Sequence, residues 1–216
     1  MLPNYDAKAV ATILGVAFLQ GPQEDAASTA VVSEAGRGRL KLPRRAHDRD
    51  NVIHVGDATM LVVEISARNA QALLDTSDST GPLSEAESRF SSPSSVMIEK
   101  AVEKGLPRAA LRHVAEWLGG HDKAKVSALE RGVVPKTTLE RRETRLSPRE
   151  SERTERIARL FVHARRALGT EAEAREFLTS PHPELDGRSP IDAAKTDLGT
   201  RRTEQILTAL EFGLAL

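Results

Sequence analysis

Residues 123–145 read KAKVSALERGVVPKTTLERRETR. This pattern predicts two helices joined by a tight turn, the arrangement of a helix-turn-helix. The Ala-x-x-x-Gly spacing of Ala128 and Gly132 predicts a close helix crossing followed by a turn residue with positive φ. Pro135 suits the first position of the second helix, where a backbone N–H is not needed. The apolar stripe of the first helix consists of Ala124, Ala128 and Leu129, with Val126 nearby.

The second helix of this motif is basic. Short hydroxyl side chains stand near its start and arginines follow, as in helices that contact base edges and phosphates in the major groove. The expected DNA-binding residues are Lys136, Thr137, Thr138, Arg141 and Arg142, with Arg145 and Arg149 on phosphates. A solvated charged helix in an ordinary α-helical domain explains this window about equally well, so both interpretations stay open.

Charge is distributed unevenly along the chain, although it sums to zero. Residues 100–168 hold 17 Lys and Arg against 9 Asp and Glu, a net charge of +8. Residues 1–99 (9 against 13) and 169–216 (5 against 9) each carry −4. Such asymmetry indicates a nucleic-acid-binding module joined to another part. A basic face that is merely solvated is the alternative.

Composition favours a helical protein. Aromatic residues make up 3% of the chain within a hydrophobic share of 39%, whereas β-sandwiches use more aromatic and β-branched residues. Cysteine does not occur, which excludes disulfides and thiolate metal sites. The longest apolar run, residues 9–19, is too short to span a bilayer, and no secretory signal is evident. We therefore expect a cytoplasmic protein.

Residues 1–95 are predicted to form an N-terminal extension that is largely linker or of low order. A short helix is predicted within residues 1–20. Residues 52–65 contain two β-prone runs around Gly56 and predict either a hairpin or a single strand. Residues 21–51 and 75–95 are rich in small and polar side chains and are predicted linkers.

Helix start and stop signals become frequent after residue 95. Residues 147–150, Ser-Pro-Arg-Glu, form a capping box with proline at the first helical position and predict the start of a long helix. Thr170 and Glu173 form a second capping box. Near the C-terminus, Gly199 is expected to stop a short helix and Thr200 to cap the last one.

These signals predict a mainly α fold. We assign residues 96–168 to a helix-turn-helix DNA-binding domain. Residues 169–216 are assigned to a small all-helical domain.

The run from Gly105 to Leu216 resembles the antitoxin family called Xre/MbcA/ParS, which joins a helix-turn-helix to a C-terminal toxin-binding domain. The matching motifs, in the family's order and spacing, are PKTTLERR at 135–142, RLSPRES at 145–151, and FL followed by PHPELDGRSPID within 177–192. Gly199, Ile206-Leu207 and Phe212-Gly213 complete the resemblance. The turn GVVPKTT is one residue longer than the family's usual form, and residues 1–95 have no counterpart in the pattern.

The resemblance implies a type II antitoxin that has no catalytic activity and no cofactor. It would neutralise a toxin, with a RES-type enzyme that consumes NAD favoured, and would repress its own operon as a homodimer on operator DNA. The remaining alternatives are a stand-alone transcription regulator and a localisation or scaffold protein.

The chain ends in the apolar segment FGLAL at 212–216, and exposed apolar patches usually mark interfaces. This segment and the 181–192 loop are therefore expected to contact the toxin, unless the tail packs on the last helices of its own chain. The expected toxin-binding residues are Pro181, Leu185, Gly187, Arg188, Pro190, Phe212, Gly213, Leu214 and Leu216.

Overall fold

The computed structural model describes residues 5–20, 51–56, 58–65, 90–141 and 144–214, and their fold is mainly α, as predicted. None of the helices in this part of the chain has the length and apolarity needed to cross a membrane. The helices are α1 Ala7–Leu14, α2 Ser95–Lys104, α3 Arg108–Gly119, α4 Lys123–Val133, α5 Lys136–Arg141, α6 Pro148–Leu168, α7 Glu171–Thr179, α8 Pro190–Ala193 and α9 Asp197–Phe212. The strands are β1 Val16–Gln20, β2 Val52–Val55, β3 Ala58–Glu64 and β4 Phe90–Ser91.

The strands form one antiparallel sheet in the order β2-β3-β1-β4. Strands β2 and β3 make a hairpin in which Val55 pairs with Ala58, and Gly56 supplies a positive φ of 59° in the connection. Of the two predictions for residues 52–65, the hairpin is therefore the one observed. Val16 and Phe18 of β1 and Val62 of β3 contribute to the main core from this sheet.

Helix α1 packs against α3 and α6, so the N-terminal segment shares a core with the helices that follow residue 95. Val10, Leu14 and Phe18 are fully buried, as is Phe161 of α6. The predicted linkers at 21–51 and 75–95 lie almost entirely outside the described residues. The described part of residues 1–95 therefore forms regular secondary structure, and α1 and the sheet contribute side chains to the main core.

The long helix α6 begins where the capping box predicts. Ser147 accepts a hydrogen bond from the backbone N–H of Glu150, and the Glu150 carboxylate accepts one from the backbone N–H of Ser147 at 2.6 Å. Pro148 occupies the first helical position. The predicted cap at Thr170 is likewise observed at the start of α7.

The predicted start of the last helix is wrong. Thr196 caps α9 by accepting from the backbone N–H of Gly199 at 3.1 Å, so Gly199 and Thr200 lie inside the helix. Gly199 has a packing role there, because a Cβ at this position would overlap the carbonyl group of Ala193. From sequence alone, a glycine that permits a close backbone approach inside a helix cannot be distinguished from a glycine that ends a helix.

Candidate functional site

Helices α4 and α5 are separated only by Val134 and Pro135, so the predicted helix, tight turn and second helix are present at the expected place. Val126 and Val133 are buried on the inner side of α4, and Val134 is fully buried in the turn. Leu139 of α5 is half-buried against the main core. The outer side of both helices faces solvent.

The expected crossing of Ala128 and Gly132 is wrong. Ala124 and Ala128 are exposed, and Gly132 lies inside α4 with open space around its Cα. The close approach involves Gly119 of α3, where a Cβ would lie 2.7 Å from Cγ2 of Val126. The small residue that allows two helices to cross closely is therefore Gly119, and the turn needs no glycine.

The surface of α5 presents part of the predicted DNA-binding set. Lys136 and Thr137 are exposed, and Thr138 is half-buried. Lys136 Nζ lies 3.7 Å from Oε1 of Glu140, one turn further along the helix. The side chain of Arg141 and all of Arg142 lie outside the described residues. Arg149 is exposed in the first turn of α6.

Arg145 lies in a different environment from the other predicted DNA contacts. It is half-buried, and its guanidinium donates hydrogen bonds to Oδ1 of Asn51 and to the carbonyl oxygen of Gly105. The adjoining backbone is tied to the same place, since Leu146 donates to the carbonyl of Leu106 at 2.9 Å. Arg145 therefore joins the segment after α5 to the end of α2 and to residue 51.

The 181–190 loop is compact. The short 3₁₀ helix Pro183–Leu185 is followed by Asp186 and Gly187, both with positive φ, and the backbone N–H of His182 donates to the carbonyl of Arg188 at 3.0 Å. Of the predicted toxin-binding residues in this loop, Leu185 and Pro190 are buried and support the fold, whereas three are exposed: Pro181, Gly187 and Arg188.

Beyond α9, the described part of the tail is exposed to solvent. Gly213 caps the helix with a φ of 63°, and the backbone N–H of Leu214 donates to the carbonyl of Ala209 at 2.8 Å. The side chains of Phe212 and Leu214 are 60% and 61% exposed. Leu216 lies outside the described residues. The backbone is thus held by the helix end while the apolar side chains of Phe212 and Leu214 point away from the core.

Arginines on α6 connect it to the helices on either side. Arg153 donates to the carbonyl of Val133 at the end of α4, and Arg156 donates to that of Ala194 after α8, both at 3.2 Å. Arg159 Nη1 lies 2.9 Å from Oε1 of Glu204 in α9. Arg153, Arg156 and Arg159 therefore connect α6 to the end of α4, to the segment after α8 and to α9.

A second ion pair joins the ends of α6 and α9. Arg166 contacts both carboxylate oxygens of Glu211, and His163 Nε2 lies 3.3 Å from one of them. The hydrogen bond from Arg166 holds the pKa of Glu211 below its ordinary value. Burial, followed by the neighbouring charge of Arg166, lowers the pKa of His163. Glu211 immediately precedes Phe212, so this pair fixes the point from which the apolar tail leaves the domain.

Within the described ranges, no three His, Asp or Glu side chains are grouped as a metal site would require. His113 packs beneath Gly15, and burial lowers its pKa despite the opposing charge of Glu64. The described histidines are thus spread over separate elements.

Two exposed apolar side chains were missed by sequence reasoning. Leu198 in the first turn of α9 is 76% exposed, and Leu210 near its end is 42% exposed. The neighbouring residues Ile206 and Leu207 are buried. Helical spacing alone does not reveal on which side of α9 the neighbouring helices lie.

Residues 163–213 match the family model described as the antitoxin Xre/MbcA/ParS C-terminal toxin-binding domain. The match begins inside α6, contains α7, the 181–190 loop, α8 and α9, and ends at Gly213. No curated protein matches the chain. Residues 163–213 are therefore similar to the C-terminal toxin-binding domain of the Xre/MbcA/ParS antitoxins.

Proposed function

We propose that this protein is a type II antitoxin that neutralises a cognate toxin through its C-terminal domain and represses its own operon through α5. The observation that carries the proposal is the family match over residues 163–213, which contains the exposed 181–188 loop and ends within an exposed apolar tail. The expected toxin is a RES-type enzyme that degrades NAD, as the resemblance implies. The antitoxin itself would perform no chemistry and act as a stoichiometric inhibitor in the cytoplasm.

Toxin binding is supported by the position of Phe212 and Leu214. Both are large apolar side chains that the fold leaves in solvent, and clusters of such side chains usually mark a protein interface. The ion pair of Glu211 with Arg166 holds the start of the tail, so the apolar side chains project from a fixed helix end. A fixed projection loses less entropy on binding than a free peptide does.

A truncation tests this contact. The chain is ended at Gly213 and co-expressed with the protein encoded by the adjacent gene, and growth and cellular NAD are measured. We expect growth rescue to be lost while the melting temperature of the antitoxin changes little, since the removed side chains are exposed or follow the helix. Full neutralisation by the truncated chain would show that residues 214–216 are not the inhibitory element.

DNA binding is supported by the exposed basic side chains of α4, which are Lys123, Lys125 and Arg131, and by exposed Lys136 and Thr137 at the start of α5. Thr137, Lys136 and the arginines that follow form the proposed reading face, with Arg149 on a phosphate. Arg145 is the weakest member of this set because it already binds within the fold. A helix-turn-helix dimer reads half-sites about 34–36 Å apart, so we expect an inverted repeat in the operator and a homodimer on it.

The DNA proposal is tested with Arg141→Ala, and Arg201→Ala in the C-terminal domain serves as the control. Loss of a base-contacting arginine is expected to cost about 1–3 kcal/mol of operator binding free energy, and the control should bind as the wild type does. Operator affinity is measured by fluorescence anisotropy at several salt concentrations. Unchanged affinity and salt dependence in Arg141→Ala would place the reading face elsewhere.

A stand-alone regulator would present the same α5 surface but bind no toxin, and a localisation or scaffold protein would form a focus in cells without rescuing growth. Co-purification with the protein encoded by the adjacent gene separates the antitoxin from both. The family match over residues 163–213 favours the antitoxin over both alternatives.

A further inference from the structure

The exposed toxin-binding candidates fall into two groups at opposite ends of α9. Arg202, in the second turn of the helix, donates to the carbonyl of Glu184 at 2.7 Å and lies 3.3 Å from Oδ2 of Asp186. These contacts hold the 181–188 loop beside the start of α9. Phe212 ends the same helix, about 15 Å further along, since each residue of an α-helix advances 1.5 Å.

One side of α9 carries exposed side chains from its first turn to its last, although Ala209 on the same side is buried. Residues at spacings of three, seven and fourteen from Leu198 lie on the same side of an α-helix, and all of them are exposed. These residues are Leu198, Arg201, Gln205 and Phe212. The opposite side of the helix, with Thr203, Ile206 and Leu207, is buried against the rest of the domain.

Leu198 is the most exposed of the large apolar side chains in the described part of the chain, at 76%. Its position does not require leucine, because Thr196 caps the helix and Asp197 supplies an acidic first turn. The charges around it are already paired, Arg201 with Asp197 at 3.0 Å and Arg202 with Asp186. Leu198 therefore stands as an apolar side chain within a neutralised polar rim, which is the usual anatomy of an interface centre.

The size of the tail also argues for a longer contact. A stable interface buries roughly 800 Å² on each partner. The partly exposed side chains of Leu210, Phe212 and Leu214 at the end of α9 fall well short of that area. Extending the contact along this side of α9 to Leu198 and the 181–188 loop adds further exposed surface. This surface lies wholly inside residues 163–213, the range matched by the toxin-binding domain.

We propose that the toxin contacts this side of α9 along its length, with Leu198 as a second apolar anchor about 21 Å from Phe212. This inference rests on the proposed function, because it specifies how the same toxin is bound. Leu198 would insert into an apolar pocket of the toxin beside the 181–188 loop, while Phe212 and the tail contact a separate region of it.

Leu198→Glu tests the anchor in the full-length protein. Glutamate at the second helical position is compatible with the helix dipole, so the variant should fold. Its carboxylate would be desolvated in an apolar pocket, and we expect the Kd for the protein encoded by the adjacent gene to rise about tenfold or more. Binding is measured by biolayer interferometry, and thermal unfolding of each variant is recorded beside it.

Val96→Glu is the matched control. Val96 is the second residue of α2, as Leu198 is of α9, and it is 45% exposed. Its Kd should stay within about twofold of the wild-type value, because surface substitutions away from an interface have small effects. Phe212→Ala supplies the other end of the contact. Combined with Leu198→Glu, its effect should multiply, since sites this far apart act independently.

The outcomes separate the two proposals. Wild-type protein that does not bind the adjacent gene product overturns the proposed function and this inference with it. If the wild type binds but Leu198→Glu binds equally well, only the inference is overturned. It is likewise overturned if Leu198→Glu leaves toxin affinity unchanged and converts a dimer to a monomer in light scattering, because this side of α9 would then bind a second copy.

Discussion

Arg166 and Glu211 form a two-pronged ion pair between α6 and α9, with Nε 2.7 Å from Oε1 and Nη2 2.9 Å from Oε2. The pair lies one residue before Phe212. Helix α6 follows the proposed DNA-binding region in the sequence. The ion pair therefore connects this helix to the start of the proposed toxin-binding tail.

Replacing Glu211 with Gln should lower the free energy of unfolding by about 0.5–1 kcal/mol at pH 7, because a partly exposed ion pair is lost. The folded state lowers the pKa of Glu211, so the pair stabilises the fold above the ordinary carboxylate pKa and this contribution disappears as the pH falls through the lowered value. Urea unfolding at pH 7 and in acid measures both effects. Glu152→Gln, an exposed position on α6, is the control, and an equal loss in both variants would contradict the prediction.

Replacing Gly199 with Ala should lower the free energy of unfolding by about 1–3 kcal/mol, because the new methyl group overlaps backbone atoms of Ala193 that cannot rotate away. Gly132→Ala should have the opposite sign and stabilise the protein by about 0.5–1 kcal/mol, since Gly132 is helical and has open space around it. Thermal unfolding of the two variants measures the difference. Destabilisation by Gly132→Ala would mean that this glycine is a turn residue after all.

Replacing Arg145 with Ala should destabilise the fold by about 1–2 kcal/mol, because Asn51 and the carbonyl of Gly105 lose their charged hydrogen-bond donor. Arg149→Ala should change the free energy of unfolding by less than about 0.5 kcal/mol while weakening binding to all DNA sequences alike. Urea unfolding and DNA titration on both variants separate a structural arginine from a phosphate contact. If the two variants are equally stable, Arg145 is not needed for the fold and its assignment as a phosphate contact is favoured again.

A chain that begins at Ser94 should lose cooperative unfolding. It lacks Val10, Leu14 and Phe18, each fully buried and each worth about 1.5–3 kcal/mol, in a domain whose whole stability is of the order of 5–15 kcal/mol. Circular dichroism during heating measures the transition. Phe18→Ala in the full chain should retain a cooperative transition at a lower temperature. A sharp transition in the shortened chain would make residues 1–93 an independent extension.

Local signals explain which elements were predicted correctly. The capping box at Ser147 and the hydroxyl cap at Thr170 lie within a few residues of the backbone groups they satisfy, so the start of each helix is encoded where it occurs. Two β-prone runs around Gly56 predicted either a hairpin or a single strand at 52–65, and the structure has the hairpin. The exposed tail at Phe212 is similarly a property of a short stretch of sequence.

The sequence pattern does not reveal the environment of side chains that contact distant segments. Leu185 looks like part of a binding loop, yet it is buried by Ala193 and Ile206. Arg145 was predicted to contact a phosphate, yet it donates a hydrogen bond to Asn51, which is distant in the sequence. A sequence pattern that covers four or seven residues includes none of these neighbours, because Ala193, Ile206 and Asn51 are all further away along the chain.

The amino-acid sequence by itself determined that this protein is mainly helical, where most of its helices begin, and that its C-terminal part resembles an antitoxin domain. Tertiary structure decided that α1 and the sheet complete the core, that Gly119 rather than Gly132 allows the helix crossing, and that α9 leaves Leu198 in solvent. The physical reason is the sequence separation of the interacting residues. The backbone groups at helix caps and turns bind residues a few positions away, whereas burial and close backbone approach depend on which distant segments pack together.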